Sequence, residues 1–149
     1  MNDLMGVKRT KAEILRGVTD VEWSRKTDNN EVTYGTSDGW THVRYHFTDI
    51  LSKSANGDRL IINTGGWNTI STREHILGAK SRLPIGVGIH GFRTFALHSH
   101  KVAGNLLFVS HSAEHENQPF LFNTCIELRL NMEKQTWEGK SDFGQVEND

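Results

Sequence analysis

The sequence predicts a β-rich α+β fold: an antiparallel sheet built as a meander, a short N-terminal helix and one helix after a glycine-rich turn. Three observations carry this. Apolar and polar residues alternate in period two through residues 40–47 and 124–130, which puts them on opposite faces of extended strands. Ser37-Asp38-Gly39, Asn56-Gly57 and Gly65-Gly66 interrupt the strands with residues that accept tight turns. Two segments, 8–17 and 71–79, suit helices.

At residues 8–17, Ile14 and Leu15 lie among Lys8, Arg9, Lys11, Glu13 and Arg16, an amphipathic pattern that Gly17 stops. Residues 31–36 read as a strand with Val32 and Tyr34 on one side. The strand at 40–47 sets Thr41, Val43, Tyr45 and Phe47 on one face and Trp40, His42, Arg44 and His46 on the other. Residues 59–63 supply another through Leu60, Ile61 and Ile62. Ser71, with Glu74 three residues later, matches a capping box, so a helix is expected to start there and pack on the sheet. Further strands are expected at 85–90, 93–99, 106–110, 120–131 and 135–138, with Trp137 closing the last one onto the sheet.

A chain of 149 residues and 16.9 kDa suits one domain, expected over residues 1–138, with 139–149 as a flexible acidic tail. Residues 1–112 carry 14 basic and 10 acidic side chains, residues 113–149 only 3 basic and 8 acidic, so the acidity gathers at the C-terminal end. No apolar run approaches the roughly 20 residues of a spanning helix, and residues 1–9 lack the pattern of a secretory signal. A cytoplasmic protein without membrane contact is expected. Cys125, the only cysteine, excludes an internal disulfide and a multi-cysteine zinc site, and no base lies near it in sequence to activate it as a nucleophile.

Four patterns bear on chemistry. Gly86, Gly88 and Gly91 satisfy G-x-G-x-x-G, but an alternating aromatic stretch follows instead of a helix, so the glycines fit a hairpin or bulge better than a dinucleotide site. His98, His100, His111 and His115 fall within 18 positions and could hold a divalent metal, as a nuclease or phosphodiesterase needs. The simpler reading leaves them on a wet sheet face and a polar loop, with no cofactor. Trp23, Trp40 and Trp67, with Arg25, Lys26, Arg44 and Arg73, could combine stacking with phosphate neutralisation on a nucleic acid, Trp40 being the best placed for exposure. The fourth pattern is the segment that follows the third strand.

Residues 38–77 contain Gly39-Trp40, then Val43-Arg44-Tyr45-His46-Phe47-Thr48-Asp49-Ile50, then Asn63-Thr64-Gly65-Gly66-Trp67-Asn68-Thr69 and Ser71-Thr72-Arg73. This series resembles a group of small, mostly uncharacterised proteins of tailed bacteriophages that share an R-L-H-x-T-D-I-V strand, an L-N-T-G-G-W-x-T strand end and a T-T-K-x-R helix start. The chain departs from that pattern at Ile70 to Arg73 and again in the helix that follows. The resemblance implies a bacterial cytoplasm and a part in host takeover or in inhibiting a defence system, and no catalytic residue travels with it.

Physically, Gly65-Gly66-Trp67-Asn68-Thr69 leads from a strand into a helix start, where backbone N–H groups and the hydroxyls of Thr69, Ser71 and Thr72 converge. An anion could dock there, with Arg44 and Arg73 as counter-charges, and Trp67 and Asn68 beside it. The structural alternative is that the glycines make a sharp turn, Trp67 plugs the sheet and helix, and Ser71 caps. The expected function is a non-enzymatic accessory protein that binds a host protein, nucleic acid or phosphorylated small molecule, with a histidine- and metal-dependent phosphodiester hydrolase as the alternative. Dimerisation through an unpaired edge strand is compatible with either.

Overall fold

Turn chemistry cuts the chain into short strands. The computed structural model describes residues 8–79, 81–83, 88–97, 102–112 and 114–143. Among these the strands are β1 (Trp23–Asp28), β2 (Glu31–Gly35), β3 (Thr41–Tyr45), β4 (Thr48–Lys53), β5 (Arg59–Asn63), β6 (Gly88–Leu97), β7 (Val102–Ser110), β8 (Gln118–Phe122), β9 (Cys125–Asn131) and β10 (Thr136–Ser141). The helices are α1 (Lys11–Ile14) and α2 (Ile70–Ala79), which gives the α+β class that the sequence predicts.

β1 to β5 form an antiparallel meander, each strand pairing with the next, with β1 and β4 added to the three strands expected at 31–36, 40–47 and 59–63. After α2 the chain builds a second sheet, β6-β7-β8, then returns to the first, so that the large sheet reads β1-β2-β3-β4-β5-β9-β10. The segment 120–131, expected as one strand, is therefore two strands in different sheets. Asp142 accounts for the break: its carboxylate accepts from the N–H groups of Asn123, Thr124 and Cys125 at 2.7 to 3.2 Å. Those donors satisfy a side chain where they could have continued a ladder.

Pleating gives the large sheet one apolar face, with Val43, Leu60, Ile62, Ile126 and Leu128 packed against Ile76 of α2 and Phe92, Leu107 and Phe122 of the second sheet. A bulge between Val43 and Arg44, opposite Ile50, lets the adjacent Ile50 and Leu51 both enter this core. On the other face, α1 closes Ile14 onto Val32 and Tyr34. Trp137 is buried in the main core, as expected of the last strand.

Several boundaries move. α1 is one turn long, because Thr10 and Glu13 form the capping box and Gly17, at φ 87°, lies just beyond. Tyr45 pairs with Thr48, so the alternation at 40–47 ends early and His46 and Phe47 become a two-residue hairpin loop, with His46 at φ 55°. β6 is a single strand bulged between Ile89 and Gly91, the irregularity its glycines suggested, while Gly86 lies outside the described residues. Gly139, Lys140 and Ser141, expected in the tail, pair with Leu128, Glu127 and Ile126, because β9 offers its open edge to them. Residues 144–149 of that tail lie outside the described residues. No helix among the described residues is long and apolar enough to cross a membrane.

Candidate functional site

The loop between β5 and α2 is shaped by its glycines. Gly65 and Gly66 take φ 65° and 84°, a region that side-chain-bearing residues rarely enter. Gly65 also approaches β4 so closely that a Cβ there would sit 2.7 Å from Thr48 Oγ1. Thr64 is buried and its N–H donates to the Thr124 carbonyl at 2.9 Å. The chain then enters α2 with Thr69 as its cap, two residues earlier than the expected Ser71. Thr69 Oγ1 accepts from the Thr72 N–H at 3.2 Å, and its carbonyl accepts the first helical bond from Arg73 at 3.1 Å. Ser71 is left to meet the Tyr45 hydroxyl at 2.6 Å.

Between this loop and the β3–β4 hairpin lies a cleft of about 390 Å³, lined by Arg9, Tyr45, His46, Phe47, Thr48, Ile50, Thr64, Trp67, Thr69, Ser71 and Thr72. Two hairpin turns position its cation. The Arg9 N–H donates to Asn30 Oδ1 at 3.0 Å, and His46 N–H donates to the Asn30 carbonyl at 2.8 Å. The Arg9 guanidinium lies 2.6 Å from His46 Nδ1 and 5.0 Å from the centre of the Phe47 ring. A guanidinium can only donate, so Nδ1 must accept, which requires a neutral imidazole. Burial, with the charges of Arg9 and His75, holds the His46 pKa below its ordinary value. Phe47 is 49% exposed and Trp67 67% exposed, so two aromatic surfaces stand open at the cleft. Among the described residues the lining carries a guanidinium and several hydroxyls but no carboxylate.

The predicted residues divide into three places. Trp67, Thr69, Ser71 and Thr72 line the cleft, and the exposure of Trp67 overturns its reading as a plug between sheet and helix. Its backbone follows the two positive-φ glycines, and its indole stays in solvent at the rim of the cleft. Arg73 and Asn68 serve the second sheet: Arg73 donates to Thr94 at 2.6 Å, Thr94 to Asn105 Oδ1 at 2.9 Å, and Asn105 Nδ2 to Asn68 Oδ1 at 3.0 Å. Arg44 is held under α1, donating to the Ile14 carbonyl and to Asp49, each at 3.0 Å. Asp49 also accepts from the Tyr34 hydroxyl, whose pKa burial and this carboxylate push far up.

Neither Trp23 nor Trp40 lines the cleft with Trp67; Trp23 packs with Arg25 on β1, and Arg59 lies over Trp40 at 5.5 Å. Sequence reasoning missed Arg9, Tyr45, His46, Phe47, Thr48 and Thr64 as site residues. The order Tyr45-His46-Phe47-Thr48 was visible, but nothing local marks a two-residue loop without glycine.

Of the metal candidates, His98 and His100 lie outside the described residues. The rings of His111 and His115 are 6.0 Å apart, and His115 Nδ1 lies 2.6 Å from the Ser112 hydroxyl. A different set gathers: ligand atoms of Asp28, Glu31 and His75 lie within 4.8 Å of one another. Arg82 already occupies that place. Its Nε is 3.1 Å from Glu31 Oε2, while His75 Nδ1 lies 2.6 Å from Oε1 and the Thr27 hydroxyl donates to Oε2 at 2.6 Å. The buried Glu31 is thus charge-balanced by the protein itself, and a metal ion would have to displace a guanidinium. Cys125 has its pKa raised by burial and by Asp142 and Glu127, which opposes the thiolate that nucleophilic chemistry needs. Compared with family models, curated proteins and solved structures, the chain finds no match.

Proposed function

We propose that this chain is a binding protein, not an enzyme, and that its ligand is a phosphorylated small molecule carrying a flat ring, such as a nucleotide. The cleft carries the reading: one wall offers a pre-positioned guanidinium, the floor offers hydroxyls at a capped helix start, and two exposed aromatic rings flank them. Arg9 replaces Arg44 and Arg73 as the counter-charge. Phosphate gains charge-assisted bonds from Arg9 and hydroxyl bonds from Ser71 and Thr48, and the ring gains stacking on Trp67 or Phe47. The guanidinium and hydroxyls that the described lining offers favour an anion over a cation or a metal.

The resemblance of residues 38–77 to phage-encoded proteins supports a setting in a bacterial cell, where sequestering a phosphorylated signal would serve host takeover or blunt a defence. The hydrolase alternative needs a metal or an acid–base pair; of the described histidines His75 gathers with carboxylates, and there Glu31 is already shared between His75 and Arg82. The test uses adenosine monophosphate and inorganic phosphate as probes, followed by calorimetry. Arg9→Ala should weaken both, whereas Trp67→Ala should weaken only the nucleotide, by about tenfold for one lost base–aromatic stack. Binding of neither probe at millimolar concentration would reject the cleft as a phosphate site.

A further inference from the structure

The Arg9–His46 contact is unusual for a cation meant for a ligand, because its guanidinium is already engaged with a neutral imidazole. His46 sits at positive φ, a strained setting for a residue other than glycine, and is held there by the Asn30 carbonyl. Both side chains line the cleft and touch each other at 2.6 Å, so a ligand that draws on Arg9 competes with His46 for it. We infer that the ligand is a phosphate monoester, whose two charges draw Arg9 away from His46 and leave His46 to take a proton and donate it to the same phosphate. This rests on the cleft being the phosphate site and adds which phosphate it takes.

The free imidazole cannot be protonated while Nδ1 accepts from Arg9, since both groups would then be donors facing each other. Around it stand the guanidinium of Arg9, the imidazole of His75 on α2, itself paired with Glu31, and the phenol of Tyr45 on β3. The free protein therefore keeps His46 neutral. A phosphate dianion reverses this balance: it accepts from Arg9, frees Nδ1 and attracts a proton from solvent to it. The sign follows. His46 has a higher pKa in the complex than in the free protein, so binding takes up a proton at pH values between the two, and affinity falls as pH rises from the free value to that of the complex and levels off above it. A phosphodiester carries one charge and lacks the second oxyanion that would repay the displaced contact.

The test is calorimetry of the whole chain with adenosine monophosphate and with its cyclic diester, at about pH 7, in two buffers of different ionisation enthalpy. The monoester should bind about tenfold more tightly than the cyclic form, with a fraction of a proton taken up per ligand, a difference of the size of one charge-assisted hydrogen bond. His46→Asn, which tolerates positive φ, should still bind the monoester but take up no proton through the protein. Equal affinities for the two nucleotides, or the same proton uptake in His46→Asn, would overturn the inference and leave the cleft intact. Failure of both adenosine monophosphate and inorganic phosphate to bind would overturn the cleft along with it. The two-buffer comparison on the unaltered protein decides the matter even if the variant does not fold.

Discussion

Arg44 lies on the face that period two assigns it, opposite Val43, yet its guanidinium serves the fold. It joins α1 to the sheet through the Ile14 carbonyl and neutralises Asp49, and its side chain is 15% exposed. The alternation reveals the face but not its cover, because the covering carbonyl belongs to a turn 30 residues away. Arg9 is the converse case. In sequence it is one of several charges on a short amphipathic stretch, and only the meeting of two hairpin turns makes it the cation of the cleft. Arg44→Ala should therefore lower stability by about 2 kcal/mol, as expected for losing charged hydrogen bonds that are mostly shielded from water. Nucleotide affinity should stay within about twofold, a change under half a kcal/mol. Urea denaturation and calorimetry on the same variant check this, and a loss of affinity with unchanged stability would return Arg44 to the binding site.

At the scale of elements, legibility followed the locality of the cause. β5 runs over the residues its apolar run marks, and α2 ends where expected, since both are set by neighbours in sequence. The start of α2 was misplaced because two overlapping signals compete there. Ser71 and Glu74 have capping-box spacing, but Thr69, two residues nearer the glycine turn, takes the Thr72 N–H with its own hydroxyl. Thr69→Ala should consequently cost about 1 kcal/mol of stability, the usual penalty for removing a cap, whereas Ser71→Ala should cost about 0.5 kcal/mol or less. Thermal unfolding of the two variants side by side is the check. Equal losses, or a larger one at Ser71, would mean that the helix begins where the capping-box spacing puts it.

For the whole molecule, the decisive fact is one that periodicity does not encode: the strands after α2 divide between two sheets, and the cleft loop is fastened to the second. Asn105, fully buried on β7, makes the fastening. Its amide donates to Asn68 Oδ1 at 3.0 Å and to the Asn123 carbonyl at 2.7 Å, while its oxygen accepts from Thr94, which in turn accepts from Arg73. One side chain thus ties the loop beside Trp67, the start of α2 and the crossing from β8 to β9. A lone asparagine on an apolar strand gives no sign of this in sequence, because its partners are 37 and 18 residues away. Replacing it by alanine leaves the Asn123 carbonyl and the Asn68 amide without their buried partner, which should cost about 2 to 3 kcal/mol. If Asn68 holds the loop in its binding shape, adenosine monophosphate should also bind several-fold more weakly to Asn105→Ala, although Asn105 does not line the cleft. Amide hydrogen exchange separates the two effects. Faster exchange confined to the 64–69 loop and the first turn of α2, alongside weaker binding, supports the fastening, whereas uniform acceleration with unchanged affinity would reduce Asn105 to a contributor to global stability.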